Sequence, residues 1–273
     1  MASMQRSLVE TLEVLVAVKA YPEPSKTYGE CVCVAGIRLD TAEPQWVRLY
    51  PLNFRGLPEE QQFDKWDVIR LEARRRSDKD GRPESYSPIL DSIEVVDHFG
   101  TKDGWRRRKT FVDPLVAPSM CEIQRRQKVD RTSLGVFKPK DVHNIQVNVA
   151  KPWPENKQVL VRRQTLFDPG PLRPLEQLPY EFKFHYRCGD PDCGGHAQGM
   201  IDWEIGQFYR RTRGLPEVDR LKAIERKWLH ELCGPDKDTH FFTGNLAKRQ
   251  NVFLLLGVFW PPRATADQLA LAV

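Results

Sequence analysis

The segment HYRCGDPDCGGH, His185 to His196, brings two cysteines and two histidines close together in the chain. These side chains bind borderline-soft metals, and Zn2+ takes four such ligands in a tetrahedron. Cys188 and Cys193 flank Gly-Asp-Pro-Asp, a turn-forming stretch that can bring two sulfurs to one point. Gly194 and Gly195 let the chain bend sharply before His196. His230 and Cys233 follow further on, so six candidates compete for four places. The expected set is Cys188, Cys193 and His196, completed by Cys233 or His185, with His230 behind them. Strand alternation weakens His185, because it points away from the face bearing Tyr186 and Cys188. Four protein ligands make a closed site, so the expected ion is a structural Zn2+, with iron left open by ligand type alone. The absence of a Cys-x-x-Cys pair argues against redox work.

A second chemistry rests on Asp202 and Glu204. On a strand both carboxylates would face one way and could hold Mg2+, as in a metal-dependent nuclease, with Lys248 and His240 as nearby candidates. As a helix start, Asp202 is the cap and Glu204 lies in the first turn, which favours the dipole. The continuation IGQFYRRTR favours the helix. Asp78, Asp80 and Glu84 read as a solvated turn without calcium-loop spacing. With no nucleophile elbow, Walker loop or dinucleotide glycine loop, an ATPase or dehydrogenase is excluded and no particular reaction is assigned.

Arginine clusters carry the third signal: Arg74 to Arg76, Arg106 to Lys109, Arg125-Arg126, Arg162-Arg163, and Arg210-Arg211 with Arg213. The net charge is only +5, from 42 basic against 37 acidic residues, so the local clustering matters more than the total. The planar guanidinium suits phosphate, although a high-GC, bacterial-like composition also inflates arginine. Trp105 precedes one cluster and Phe208-Tyr209 another, the combination that stacks bases of single strands or flipped bases. The expected function is therefore a zinc-containing nucleic-acid-binding protein that grips DNA or RNA phosphate through Arg106, Arg107, Arg108, Arg210, Arg211 and Arg213. The alternatives are a nuclease using Asp202, Glu204 and Lys248 with Mg2+, and a zinc-stabilised module with a protein partner.

These groups need elements to position them. Leu12 to Val18, Glu30 to Arg38, Trp46 to Tyr50 and Val68 to Ala73 read as strands, and RGLPEEQQFDKW as a short helix. A mixed helix and loop stretch runs from Ile89 to Gln127. SLGVFKPKDVHNIQVNVA and Glu181 to Cys188 are strand-like, Asp202 to Thr212 and Pro216 to Leu232 helical, and Thr239 to Gly244 and Val252 to Trp260 strands. Repeated prolines in 168–180 suggest a crossing between domains. The fold class expected is α+β: a β-rich N-terminal domain (1–167), a small barrel or twisted sheet, and a zinc-stapled α+β C-terminal domain (181–273). The phrase FDKWDVIRLEA, Phe63 to Ala73, resembles the turn-into-strand of the small β-barrels in PUA-like RNA-binding domains. Over those residues the resemblance implies a small barrel.

With 40% apolar and 29% charged residues the chain has a globular composition. Its longest apolar run, Val252 to Trp260, is too short to span a bilayer, and the N-terminus lacks a signal-peptide pattern. A cytoplasmic protein without a membrane partner is expected.

Overall fold

The computed structural model describes residues 8–26, 29–76, 80–167 and 174–263, with the backbone alone for 162–167. Asp78, the Arg162-Arg163 side chains and the first residues of the proline-rich stretch lie outside the described part.

The first sheet contains β1 (Val9–Lys19), β2 (Glu23–Ser25), β3 (Gly29–Arg38), β4 (Gln45–Leu52), β5 (Asp67–Arg75), β6 (Ser85–Pro88) and β7 (Glu94–His98). Its order is β1-β3-β4-β6-β5-β7, and β1 also pairs with β5, which closes a barrel. Closure depends on β1. Its first part, from Val9 to Leu15, runs along β5, and the stretch from Val14 to Lys19 runs along β3. A register shift between Val16 and Val18 marks the irregularity where the strand turns from one neighbour to the other. Alternating Val and Leu side chains, among them Leu12, Val14 and Val16, fill the barrel with Val34, Leu49 and Leu71. At Gly36 an added Cβ would lie 2.4 Å from Val14 Cγ1, so β1 and β3 approach too closely for a side chain there.

Two helices, α1 (Arg106–Val112) and α2 (Met120–Asp130), follow. The second sheet runs β10-β11-β12-β14-β13-β9-β8. It is built from β8 (Val116–Ala117), β9 (Leu134–Phe137), β10 (Pro139–Val149), β11 (Tyr180–Cys188), β12 (His196–Met200), β13 (His240–Leu246) and β14 (Arg249–Phe259). The remaining helices are α3 (Glu155–Phe167), α4 (Trp203–Arg211) and α5 (Glu217–Glu225), the last running into a π-turn at Arg226–Glu231. The architecture is thus α+β, with a barrel-like sheet first and a second sheet with helices after it.

Several expectations shift. Residues 116–149, expected in the N-terminal part, pair into the second sheet, so the proline-rich stretch joins β10 and α3 to β11 within one layer. The helix expected in RGLPEEQQFDKW is two single 3-10 turns, Phe54–Gly56 and Glu59–Gln61, since proline and glycine interrupt it. Helix α3 falls in a stretch for which no helix was expected. Asp80 of the acidic group is not solvated: it is buried against Arg82 at 2.5 Å and accepts from Ser85 at 3.0 Å.

The two sheets share a core. Leu15, Val18, Trp66 and Trp105 pack with Phe242, Leu256 and Phe259 across the junction. Buried arginines tie it further: Arg48 donates to Ser133 O at 2.8 Å, and Arg82 to Asn245 O at 2.9 Å. Charge-assisted bonds to buried carbonyls contribute about 1.5–3 kcal/mol each. Tyr21 N donates to Ile201 O at 2.6 Å, which sets the start of α4 against the end of β1. No helix among the described residues is long and apolar enough to cross a membrane.

Candidate metal centre and the cavity between the sheets

The ends of β11 and β12 converge on the start of α2. Cys188 closes β11, His196 opens β12, and Cys193 lies in the turn between them. The turn closes through Cys193 N to Asp190 O at 3.2 Å and Asp192 N to Asp190 Oδ1 at 3.1 Å. Gly195 adopts φ +98°, which a side chain would strain. Cys121, from the first turn of α2, supplies the fourth group. Its Sγ lies 3.6 Å from Cys188 Sγ and 3.6 Å from His196 Nε2, while His196 Nε2 lies 3.3 Å from Cys188 Sγ. The four ligand atoms all fall within 4.8 Å of one another.

These separations suit a shared ion. Metal distances of about 2.3 Å to sulfur and 2.0 Å to nitrogen give tetrahedral edges of roughly 3.5–3.8 Å. A disulfide would need about 2.0 Å between sulfurs. The backbone prepares the thiolates: Cys188 N and Gly195 N both point at Cys193 Sγ at 3.4 Å. Burial alone would raise Cys188, but amide hydrogens of Asp190 and Cys121, with His196 and Cys193, bring it down to about 6. Cys121 is pushed up to about 12, first by burial and then by Cys188 beside it. Two thiols that close resist ionising together unless a cation joins them. Cys121, Cys188, Cys193 and His196 could therefore hold a metal ion.

Around the cluster, Ser119 caps α2 by accepting from Glu122 N at 2.9 Å. Arg125 joins Asp190 of the turn at 2.6 Å and Glu122 at 2.9 Å, fastening helix to turn. His196 stacks on Tyr186, with ring centroids 5.0 Å apart.

The structure brings Cys188, Cys193 and His196 together and gives the fourth place to Cys121, not to His185, His230 or Cys233. His185 points to the other face of β11, where its Nε2 lies 3.0 Å from Gln146 Oε1. His230 is exposed on the π-turn, and Cys233 packs against the core of the second sheet. Burial pushes the Cys233 thiol up to about 12 with no charged neighbour contributing. Spacing alone could not reveal Cys121, since only tertiary pairing brings α2 to this turn.

A second constellation lies at the junction, a cavity of about 350 Å³ flanked by β1, α1, α4 and the end of β14. Asp202 caps α4, its Oδ1 accepting from Glu204 N at 3.0 Å. Its Oδ2 is buried and without a hydrogen-bond partner. An orphaned buried acceptor costs about 1–3 kcal/mol. Burial pushes the Asp202 carboxyl up to about 7, and Lys65 only partly counters this. Lys65 Nζ lies 3.2 Å from Glu204 Oε2, 3.4 Å from Val258 O and 3.8 Å from Asp202 Oδ2. Lys65 holds Glu204 below the usual carboxylate range. Lys19 donates to Phe63 O at 2.7 Å and sits 4.2 Å over the Phe54 ring; burial lowers its pKa.

Arg108 is buried between Trp66 and Trp105, at 4.6 and 4.9 Å from their ring centroids. Its Nε donates to Phe99 O at 2.6 Å. Among the described residues its two terminal nitrogens have no hydrogen-bond partner and no carboxylate pairs with it. Burial draws Arg108 down to about 10, still charged at neutral pH. Trp66 and Trp105 have φ of +75° and +67°, left-handed values that cost a bulky residue energy. The fold thus holds two strained tryptophans around one incompletely bonded guanidinium.

The other arginines of interest divide. Arg107 pairs with Asp97 at 2.6 Å, Arg210 with Glu176 at 3.1 Å and with Tyr21, and Arg213 with Glu176. Arg106 donates its Nε to Asp103 O at 3.1 Å and is exposed. Arg211 lines the cavity without an ion-pair partner among the described residues, as does Lys227, 4.7 Å over Phe208. Trp105 and Tyr209, expected as exposed stacking groups, are buried; Phe208 remains half-exposed at the cavity. Lys248 does not join Asp202 and Glu204. It sits in the hairpin turn before β14, whereas Asp202 lies beside Gly257, about 25 Å along that strand. His240 is buried with both ring nitrogens unpartnered; its charged neighbours are Asp238, Lys138 and Lys109.

Residues 116–272 match the family described as Domain of unknown function (DUF8757), and the chain belongs to it. Residues 10–114 match a second, Domain of unknown function (DUF8758), so the two profiles meet where the barrel ends and the second sheet begins. No curated protein matches the sequence. Among solved structures, 99% of the chain aligns with 52% of a chain from a replication protein A heterotrimer bound to ssDNA, at 9% identity and a TM-score of 0.33. The chain therefore spans about half the length of that neighbour.

Proposed function

We propose that this is a zinc-containing nucleic-acid-binding protein whose phosphate contacts centre on the cavity between the sheets. Arg211 and Lys227 at the cavity, without an ion pair among the described residues, are the observation that carries the reading. Arg108 adds an incompletely bonded guanidinium in the same cavity. Arg107, Arg210 and Arg213 belong to internal ion pairs, and their part in phosphate binding would require exchange of partners. The Zn2+ is structural, held by Cys121, Cys188, Cys193 and His196, and keeps α2 fastened to the β11–β12 turn. Three sulfurs and one imidazole are a donor set suited to zinc.

The nuclease alternative rests on Asp202 and Glu204 lying in this cavity with Lys65 beside them. The Lys65 ammonium, 3.2 Å from Glu204 and 3.8 Å from Asp202, already balances the charge of the two carboxylates that a divalent cation would otherwise meet. That favours binding without cleavage. The test is anisotropy of labelled DNA and RNA, single and double stranded, from about 50 mM to 200 mM salt, with a cleavage lane containing Mg2+. Salt-sensitive binding without cutting supports the proposal. Mg2+-dependent cutting abolished by Asp202→Asn would replace it, and absence of any nucleic-acid binding would end it.

A further inference from the structure

We infer that the cavity between the sheets receives a single nucleotide unit, its base turned inward towards Asp202 and Lys65 and its phosphate towards Arg211 and Lys227. The inference rests on the nucleic-acid reading for its source of ligand, and on the cavity for its chemistry. At about 350 Å³ the space lies near the lower end of the roughly 300–1,000 Å³ typical of small-ligand sites, room for one nucleotide unit but not a folded strand.

The walls match the parts of that ligand. Trp203, Phe208 and Trp260 are half-exposed and present ring surface to the space. Bases of every kind stack on such rings. Inside, Asp202 Oδ2 is a buried acceptor with nothing to accept from. Lys65, 3.8 Å away, uses two of its three N–H donors on Glu204 and Val258 O. Asp202 Oδ2 and the third Lys65 N–H are held to each other only by a 3.8 Å ion pair, and opened to a ligand they complement a base edge, where an N–H neighbours a carbonyl oxygen or ring nitrogen. Gly257 lets β14 approach both groups closely, since a Cβ there would come within 3.2 Å of Asp202 Oδ2 and Lys65 Nζ and within 2.9 Å of Val18 Cγ1. An apolar ligand would leave Asp202 and Arg108 unsatisfied, and a bare anion would leave the aromatic walls unused. A nucleotide uses both.

The source is either a free nucleotide or a residue turned out of a strand, and the experiment separates them. The full chain is titrated with nucleoside monophosphates, with a labelled single-stranded oligonucleotide, and with an abasic oligomer of equal length. Tryptophan emission and anisotropy are read together. The expected result is quenching by mononucleotides, and at least about tenfold tighter binding of the base-bearing strand than of the abasic one. Asp202→Asn, which retains a capping side chain, should reduce that preference while leaving strand binding in place. Equal affinity for both oligomers without quenching overturns the pocket and leaves the phosphate grip standing. Binding of neither strand, with no quenching, overturns both. Quenching by mononucleotides without strand binding upholds the pocket, assigns it to free nucleotides and overturns the strand reading.

Discussion

The metal cluster and the cavity are built from similar ingredients, polar side chains drawn out of water, but they resolve the cost in opposite ways. At the cluster each sulfur has close partners: backbone N–H groups aim at Cys193, and Cys121, Cys188 and His196 face one another within 3.6 Å. A metal ion could join all four. In the cavity Asp202 Oδ2 has no hydrogen bond, and among the described residues neither do the terminal nitrogens of Arg108, which lies between two tryptophans of left-handed backbone. A site completed from within holds a fold together. One left incomplete by the fold is prepared for something that arrives.

The strongest way to break this contrast is Cys188→Ser. Metal binding in small structural zinc sites is worth about 10–16 kcal/mol, so losing a ligand should abolish stoichiometric metal and unfold the second sheet. Metal analysis and a thermal melt would show it. A Cys188→Ser protein that melts like the wild type would place the cluster among ordinary buried cysteines. Next in size, Arg211→Glu with Lys227→Glu should weaken single-strand binding by about tenfold or more. It should flatten the salt dependence by roughly 0.7 log units per lost contact while leaving metal content untouched. An unchanged slope would move the phosphate contacts elsewhere.

A smaller effect comes from Asp202. Its folded carboxyl is raised to about 7, so folding favours the protonated form and stability falls as pH climbs through that value. Asp202→Asn removes this loss, so the Tm difference should shift towards the variant between about pH 5 and about pH 8. A constant difference across that range would mean Asp202 ionises normally. The smallest expected effect is none: His185→Ala should keep its metal, because that ring bonds Gln146 on the opposite strand face. Loss of metal in this variant would reopen the ligand set.

Local pattern explains what could be read from the sequence. The strands from Leu12 to Ala73 alternate cleanly and appear at nearly the expected bounds, as does the start of α4 at Asp202. Cys188, Cys193 and His196 share one turn, so spacing brought them together. Cys121 was not legible because its proximity depends on α2 packing over β12, for which no short-range signal exists. Arg108 and Trp105 looked like a surface cluster because adjacency says nothing of burial; the left-handed turn at Trp105 directs them inward. Lys65 lay within a recognised phrase, yet its partnership with Glu204 spans 139 residues. The prolines of 168–180 read as a crossing because they mark extended chain, and extended chain can connect two parts of a single sheet as readily as two domains.

Cys121 and Cys188 lie 67 residues apart in the chain, with β9, β10 and α3 between them. Joining the ends of so long a loop carries an entropy cost, and pairing of β10 with β11 shortens the span left to close. An ion at the cluster would therefore enter late on the folding route and act as a clasp on structure already assembled. The barrel, made wholly from earlier residues, has no such dependence.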